Sequence, residues 1–193
     1  MAVANGFVAV QAQDEDGVRA AGRAVLARSE ALGLRAAVTR HCQAIFDSVE
    51  KGDWAAVRTE LDRTEATARA TMEKMGDSNL STCVSLGGWV RGTEVASGVI
   101  ARSFTPDKAE LLNQPDLVAH FEKSVAALVA ADSAGSSKLV SAQTALGEIA
   151  VHMGDGDEPV ASDAVVGIYE SCKRLVDQIL EVELDKADEE GAL

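Results

Sequence analysis

Four side chains in this sequence are of types that bind transition metals, and each lies in a stretch with helical periodicity: His41, His120, Glu148 and His152. Glu148 and His152 are four residues apart, so they share one face of a helix and form half of a possible metal site. No Glu-x-x-His pattern supplies the other half. A metal- or cofactor-binding bundle with a redox or sensing role is therefore the alternative function. A lone histidine on an apolar stripe, such as His41, is more often a hydrogen-bonded core residue.

Arg91 is a second residue that could do chemistry, because it interrupts a stripe of apolar and small side chains. Its guanidinium group cannot lose its proton, so burial requires a partner. Glu94 follows three residues later and could form that ion pair. Alternatively, Arg91 faces a cavity and binds the carboxylate or phosphate of a small anionic ligand. The ligand-binding hypothesis takes in Gly88, Trp89, Arg91, Gly92 and Glu94.

Known catalytic patterns are absent from the sequence. It contains no phosphate-binding loop, no Rossmann glycine pattern, no GxSxG and no haem-attachment CxxCH. The sequence therefore favours a non-enzymatic protein, and it predicts neither catalytic residues nor a cofactor.

The stretch from Leu80 to Ile100 carries Arg91 and Glu94 and organises the prediction of the fold. It is apolar or small on nearly every face and has four glycines. A helix that is hydrophobic all round is usually buried. Each interior glycine costs about 1 kcal/mol relative to alanine, and close approach of another backbone or a ligand at Gly88 and Gly92 could compensate. We predict a buried glycine-rich central helix that serves tight helix packing or a ligand groove.

Composition extends the helical prediction to the whole chain. Alanine is abundant, prolines number 3, and aromatic residues make up 4%. These features favour helix over sheet. Together with apolar residues at helical spacing, they predict an all-α, single-domain helical bundle of six or seven helices over residues 13–184. Residues 185–193 are predicted to be an acidic disordered tail.

Charge and cysteine content limit the partners. The formal net charge of -13 opposes binding to nucleic acid and to anionic lipid, and we expect no membrane insertion. The three cysteines, Cys42, Cys83 and Cys172, are far apart and lie among apolar neighbours. Buried free thiols are expected, although one pair could bridge in an oxidising compartment.

Residues 1–12 carry no charged side chain and have small residues before Gln13, as at a secretory cleavage site. We interpret this segment as the end of a signal peptide whose start lies upstream of Met1. The alternative is a frayed apolar N-terminus. The first interpretation predicts an exported protein, periplasmic or extracellular.

The run Ser85-Leu-Gly-Gly-Trp-Val-Arg-Gly-Thr93, followed by Ala109-Glu-Leu-Leu-Asn-Gln-Pro115, resembles a pattern in uncharacterised small exported helical proteins of environmental bacteria. The resemblance covers roughly residues 52–128. It implies a helical fold and export, and it brings no activity. The leading hypothesis is therefore an exported, non-enzymatic binding or interaction module with an unknown protein partner or a small anionic ligand. A homodimer joined at Gly88 and Gly92 is a further possibility.

Overall fold

The computed structural model describes the backbone of residues 1–190 and the side chains of residues 1–180. Within that part the chain is helical, with no strand, as predicted. The helices are α1 (Ala2–Ala12), α2 (Glu15–Ala31), α3 (Arg35–Glu50), α4 (Trp54–Met75), α5 (Ser78–Arg102), α6 (Pro115–Ala131), α7 (Ser137–Met153) and α8 (Ser162–Glu190). A helical turn at Pro106–Ala109 continues as a 3-10 turn over Glu110–Leu112. Eight helices in the described residues exceed the predicted six or seven.

Short polar residues and glycines set the helix boundaries. The Asp53 carboxylate accepts a hydrogen bond from the Ala56 N–H at 3.0 Å and begins α4. Gly76 ends that helix with a φ of 69°, a conformation that glycine adopts without strain. The Asp77 carboxylate then accepts from the Leu80 N–H at 2.8 Å and caps α5.

Backbone packing divides the chain into two compact units, one spanning Met1–Gly88 and the other beginning at Trp89. In the first unit the most extensive pairings are α3 with α4 and α1 with α2. In the second unit they are α7 with α8 and α6 with α7. The second unit contains the pocket described below.

The core of the first unit includes the segment that the sequence analysis interprets as a signal-peptide remnant. Val10, in α1, is 1% exposed, and Val49 and Val57 are fully buried. The buried members of this core are Ala9, Val10, Val18, Ile45, Val49, Val57 and Leu61. Residues 1–12 therefore contribute apolar packing to this unit.

The glycine-rich helix α5 forms where it is expected, but it is not buried on all sides. Val84 and Val99 are 40% and 55% exposed, and Gly92 is exposed. The close approach that glycine permits occurs at Gly98, where the Tyr169 ring lies 3.0 Å from the position of a Cβ, and at Gly87, where the Met1 backbone nitrogen lies 3.3 Å from the equivalent position. Serine, threonine and glycine tolerate either environment, so the composition of this helix could not determine which faces are covered. No helix of the described residues has the length and apolarity needed to cross a bilayer.

Helix α8 continues through Glu190, into the region where the sequence analysis predicts a disordered tail. The residues there are mostly Glu, Asp, Lys and Ala. Extending an existing helix is much easier than nucleating a new one, which favours continuation of α8. Residues 191–193 of the predicted tail lie outside the described residues.

Removal of residues 1–12 should destabilise the first unit. A chain that begins at Gln13 would lose Ala9 and Val10 from the core, together with Phe7 packed against it. From the apolar area lost, we expect the free energy of unfolding to fall by about 3–6 kcal/mol. Urea unfolding of both chains, followed by circular dichroism, measures the difference.

Two point variants separate packing from chain length. Val10→Ala should lower stability by about 1–3 kcal/mol through the cavity it leaves, whereas Gln11→Ala, at an exposed position, should change it little. Equal unfolding midpoints for the full and shortened chains would contradict the structural role of α1.

Candidate functional site

A pocket of about 210 Å³ opens in the second unit. One wall is the middle of α5, the second is the helical turn that precedes α6, and the third is the end of α7. The lining residues are Trp89, Gly92, Thr93, Ala96, Leu111, Leu112, Gln114 and Met153. The pocket therefore joins three segments that are far apart in the sequence.

Trp89 is held in place at the pocket wall. Its indole N–H donates a hydrogen bond to Gln114 Oε1 at 3.0 Å. Its ring packs against Phe121 with the centroids 5.4 Å apart and the planes tilted by 41°. A tryptophan whose polar edge is satisfied and whose ring is packed presents a rigid apolar surface to a ligand.

The polar groups of Gln114 are also satisfied within the wall. Its Nε2 donates to the Leu111 carbonyl at 2.8 Å, and its backbone N–H donates to Met153 Sδ at 3.2 Å. Leu112 and Met153 are both 3% exposed, whereas Leu111 is 67% exposed. The pocket consequently has an apolar floor, an apolar lip and few unsatisfied polar groups, which suits a compact apolar group.

Gly92 keeps the α5 side of the pocket open. Apart from its chain neighbours and the nearby backbone of α5, no described atom lies within 4 Å of the position that a Cβ would take at this residue. The same is true of Gly88, one turn earlier, but Gly88 is not part of the described lining. Of the five residues in the ligand-binding hypothesis, Trp89 and Gly92 thus line the pocket.

Arg91 and Glu94 form the ion pair that their spacing predicts. The Arg91 guanidinium donates to Glu94 Oε2. The two side chains are 25% and 12% exposed, so the pair is partly buried. The positive charge of Arg91 is therefore matched within the helix.

The thiol of Cys172 is affected by its surroundings. Burial, and to a lesser extent the charge of Glu94, raise the pKa of this thiol to about 12.

The predicted metal ligands have other partners. Among the described residues, no group of three or more His, Cys, Asp or Glu side chains could hold a metal ion. His41 lies in the first unit, with its Nδ1 3.0 Å from Glu60 Oε2 and its Nε2 3.1 Å from Thr67 Oγ1. An ionised carboxylate only accepts, so Nδ1 donates to Glu60, and in the neutral ring Nε2 then accepts from the Thr67 hydroxyl. His41 is thus a hydrogen-bonded histidine of the α3–α4 pair.

The remaining three lie in the second unit and are also engaged there. Glu148 accepts hydrogen bonds from the Ser171 hydroxyl at 2.7 Å and from Arg174 at 2.8 Å. The His152 ring packs against α8 at Gly167, where a Cβ would clash with it. The His120 ring meets the edge of the Phe121 ring, with centroids 5.7 Å apart. Glu148 and His152 share a helix, as predicted, but both side chains contact α8: Glu148 through hydrogen bonds and His152 through packing.

Six residues of the pocket lining are not among the five that the ligand-binding hypothesis named: Thr93, Ala96, Leu111, Leu112, Gln114 and Met153. Gln114 precedes Pro115, the first residue of α6, so the start of a helix could be recognised there. No local pattern indicates that its side chain reaches a tryptophan 25 positions earlier.

The chain has no match among protein-family models, curated proteins or solved structures. Its function must therefore be inferred from its own residues.

The His41–Glu60 contact should contribute stability that depends on pH. Hydrogen bonds from His41 and Arg63 hold the pKa of the Glu60 carboxyl below its ordinary value. Because the pKa is lowered on folding, the contribution is present above the unfolded-state pKa and is lost as pH falls through the folded-state pKa. We expect Glu60→Gln to lower the free energy of unfolding by about 1 kcal/mol near neutral pH.

Urea unfolding at a series of pH values measures this effect. The difference between wild type and Glu60→Gln should shrink as Glu60 becomes protonated. Glu73→Gln, at an exposed position on the same helix, is the matched control and should have little effect. A Glu60→Gln deficit that stayed constant down to acidic pH would refute the ionic role of this carboxylate.

The cysteines should differ in reactivity. All three are free; Cys42 and Cys172 are 2% and 0% exposed, whereas Cys83 is exposed, contrary to the expectation of three buried thiols. We expect N-ethylmaleimide to label one thiol per native chain, and all three after unfolding in guanidinium chloride. Intact mass spectrometry counts the labels.

The labelling rate of Cys83 should rise steeply between about pH 7 and about pH 9, because the thiolate is the reactive form. Partial desolvation and the charge of Asp77 raise the pKa of Cys83 above its ordinary value. Cys83→Ser should abolish the rapid label, and rapid labelling that persists in this variant would contradict the assignment.

Proposed function

We propose that this chain is a non-enzymatic binding module, in which the pocket beside Trp89 and Gly92 receives a compact apolar group from a ligand or partner. The observation that carries the proposal is the open space at Gly92 facing into an apolar pocket whose tryptophan is already fixed by Gln114. A preorganised wall loses little conformational entropy on binding.

The size of the pocket supports a small occupant. Its volume of about 210 Å³ is below the range of roughly 300–1,000 Å³ that is typical of sites for drug-sized ligands and cofactors. One large side chain or one ring system matches the pocket better than a nucleotide or a flavin does. Its lining supports apolar contact, because Gln114 is committed to Trp89 and Leu111.

The other hypotheses have less support. The anionic ligand was predicted as the alternative to an Arg91–Glu94 ion pair, and Arg91 is paired with Glu94. The metal or cofactor site was predicted from Glu148 and His152 with two further histidines, and these side chains contact protein groups instead. The open space at Gly88 and Gly92 remains compatible with a homodimer, which the Gly88 variant below also tests.

Export is the second part of the proposal. It is supported by the charge-free segment 1–12 and by the resemblance to small exported helical proteins. The burial of Val10 bears on where the mature chain begins, because a chain that began near Gln13 would lose part of the core of the first unit. N-terminal sequencing of the protein from its native host tests this, since an intact Met1 would exclude cleavage at this site.

Binding of indole to the full chain tests the pocket. Indole is a neutral ring system of suitable size, and two-dimensional NMR spectra of isotope-labelled protein report where it binds. We expect saturable shifts at the Trp89 indole N–H and at the backbone of Gly92. Gly92→Leu should abolish them, because its side chain would project into the pocket.

Gly88→Leu is the matched control, since it makes the same substitution on the same helix at another open position. Both variants should be as stable as wild type or more so, because leucine has a higher helix propensity than glycine. The proposal would be overturned if the Gly92→Leu variant bound indole as tightly as wild type does, or if wild type did not bind indole. Sedimentation of Gly88→Leu also shows whether a dimer depends on this face.

A further inference from the structure

The chain that follows the pocket wall is acidic. Asp155, Asp157 and Glu158 come directly after Met153 and Gly154 and are all exposed. The loop is folded rather than extended, because the Asp157 N–H donates to Asp155 Oδ1 at 3.2 Å. These carboxylates therefore follow within five residues of Met153, the α7 residue that lines the pocket.

The same loop is attached to the opposite wall. Asn113 Nδ2 donates to the Gly156 carbonyl at 3.1 Å, and Pro115 Cγ lies 2.7 Å from the position of a Cβ at Gly156. Asn113 and Pro115 flank Gln114, which holds Trp89. The acidic loop thus packs against the segment that forms the pocket wall.

Two more carboxylates belong to that segment. Glu110 is exposed and accepts a hydrogen bond from Asn113 Nδ2 at 3.2 Å, and Asp116 is exposed immediately after Pro115. The basic residue of the segment, Lys108, donates its ammonium group to the Ser103 carbonyl at 2.9 Å and to the Ser103 hydroxyl at 3.0 Å. We call Glu110, Asp116, Asp155, Asp157 and Glu158 the acidic rim.

An apolar pocket with an acidic rim is complementary to an apolar anchor flanked by positive charge. Interfaces of this kind derive most of their affinity from one or two buried anchors, while rim charges select the partner and speed its association. The formal net charge of -13 favours the same class of partner over longer distances. The rim belongs to the two chain segments that supply Leu111, Gln114 and Met153 to the pocket, so a partner segment bound there could contact both.

We infer that the occupant of the pocket is a large apolar side chain in a segment of a partner protein that carries lysine or arginine on both sides of it. The inference rests on the proposed function, since it names the partner of the same pocket. The anchor contacts Trp89, Gly92 and Leu111, and the basic side chains pair with the acidic rim.

Three capped heptapeptides test the inference on the full chain. The first has a central tryptophan, one glycine on each side of it, and two arginines at each end. The second replaces the arginines with glutamates, and the third replaces the tryptophan with alanine. Isothermal titration calorimetry at low and high salt should show the basic tryptophan peptide binding at least tenfold more tightly than the other two. Added salt should reduce the preference over the acidic peptide, because screening weakens exposed charge pairs.

Variants of the protein locate the effect. Asp157→Asn with Glu158→Gln should weaken the basic tryptophan peptide roughly fivefold, as expected for two exposed charge pairs. Asp62→Asn with Glu170→Gln removes the same charge at exposed positions outside the pocket and its rim, and should leave affinity unchanged. Gly92→Leu should abolish the preference for tryptophan over alanine.

The outcomes separate this inference from the proposed function. If indole binds but the basic and acidic tryptophan peptides bind equally, the pocket stands and the basic partner is excluded. If the rim variant and the control variant weaken binding equally, the attraction arises from the overall charge of the protein, and the assignment of the acidic rim is wrong. If indole does not bind, the proposed function itself fails.

Discussion

The hydrogen bond from the Trp89 indole to Gln114 is the interaction on which the pocket depends. It joins the middle of α5 to the residue that precedes α6, at an exposed position. Gln114 in turn contacts Leu111 and Met153, so one side chain and its own backbone connect all three walls. The three walls of the pocket are therefore linked through one residue, Gln114.

Most of the helices could be predicted from the sequence because their signals are local. The glycine and aspartate at positions 52 and 53 indicate the break before α4, and Gly76 with Asp77 indicates the break before α5. Burial of α5 was harder to predict. Its small residues permit contact on any face, whereas actual contact depends on which helices fold against it. Within α5, Gly98 meets the Tyr169 ring and Gly87 meets the Met1 backbone, whereas Gly88 and Gly92 face open space among the described residues.

In the candidate site, too, contacts between residues near in the sequence could be predicted, whereas contacts between distant residues could not. Arg91 and Glu94 are three residues apart on one helix, and their ion pair follows from that spacing. The interpretation of His41 as a hydrogen-bonded core residue also agrees with its position. By contrast, the pairing of Trp89 with Gln114 and the capture of Glu148 by Ser171 and Arg174 join distant positions. Such contacts leave no periodic pattern in a single sequence.

The first helix has a consequence for the order of events during synthesis. Val10 packs in one core with Val57 and Leu61, which are translated about fifty residues after it. At roughly 5–20 residues per second, the apolar, charge-free helix α1 lacks these partners for about 2.5–10 seconds. During that interval its apolar side chains lack part of the core against which they pack, and α4 supplies that part once it has been made. The same twelve residues are thus exposed on the ribosome and packed in the finished unit.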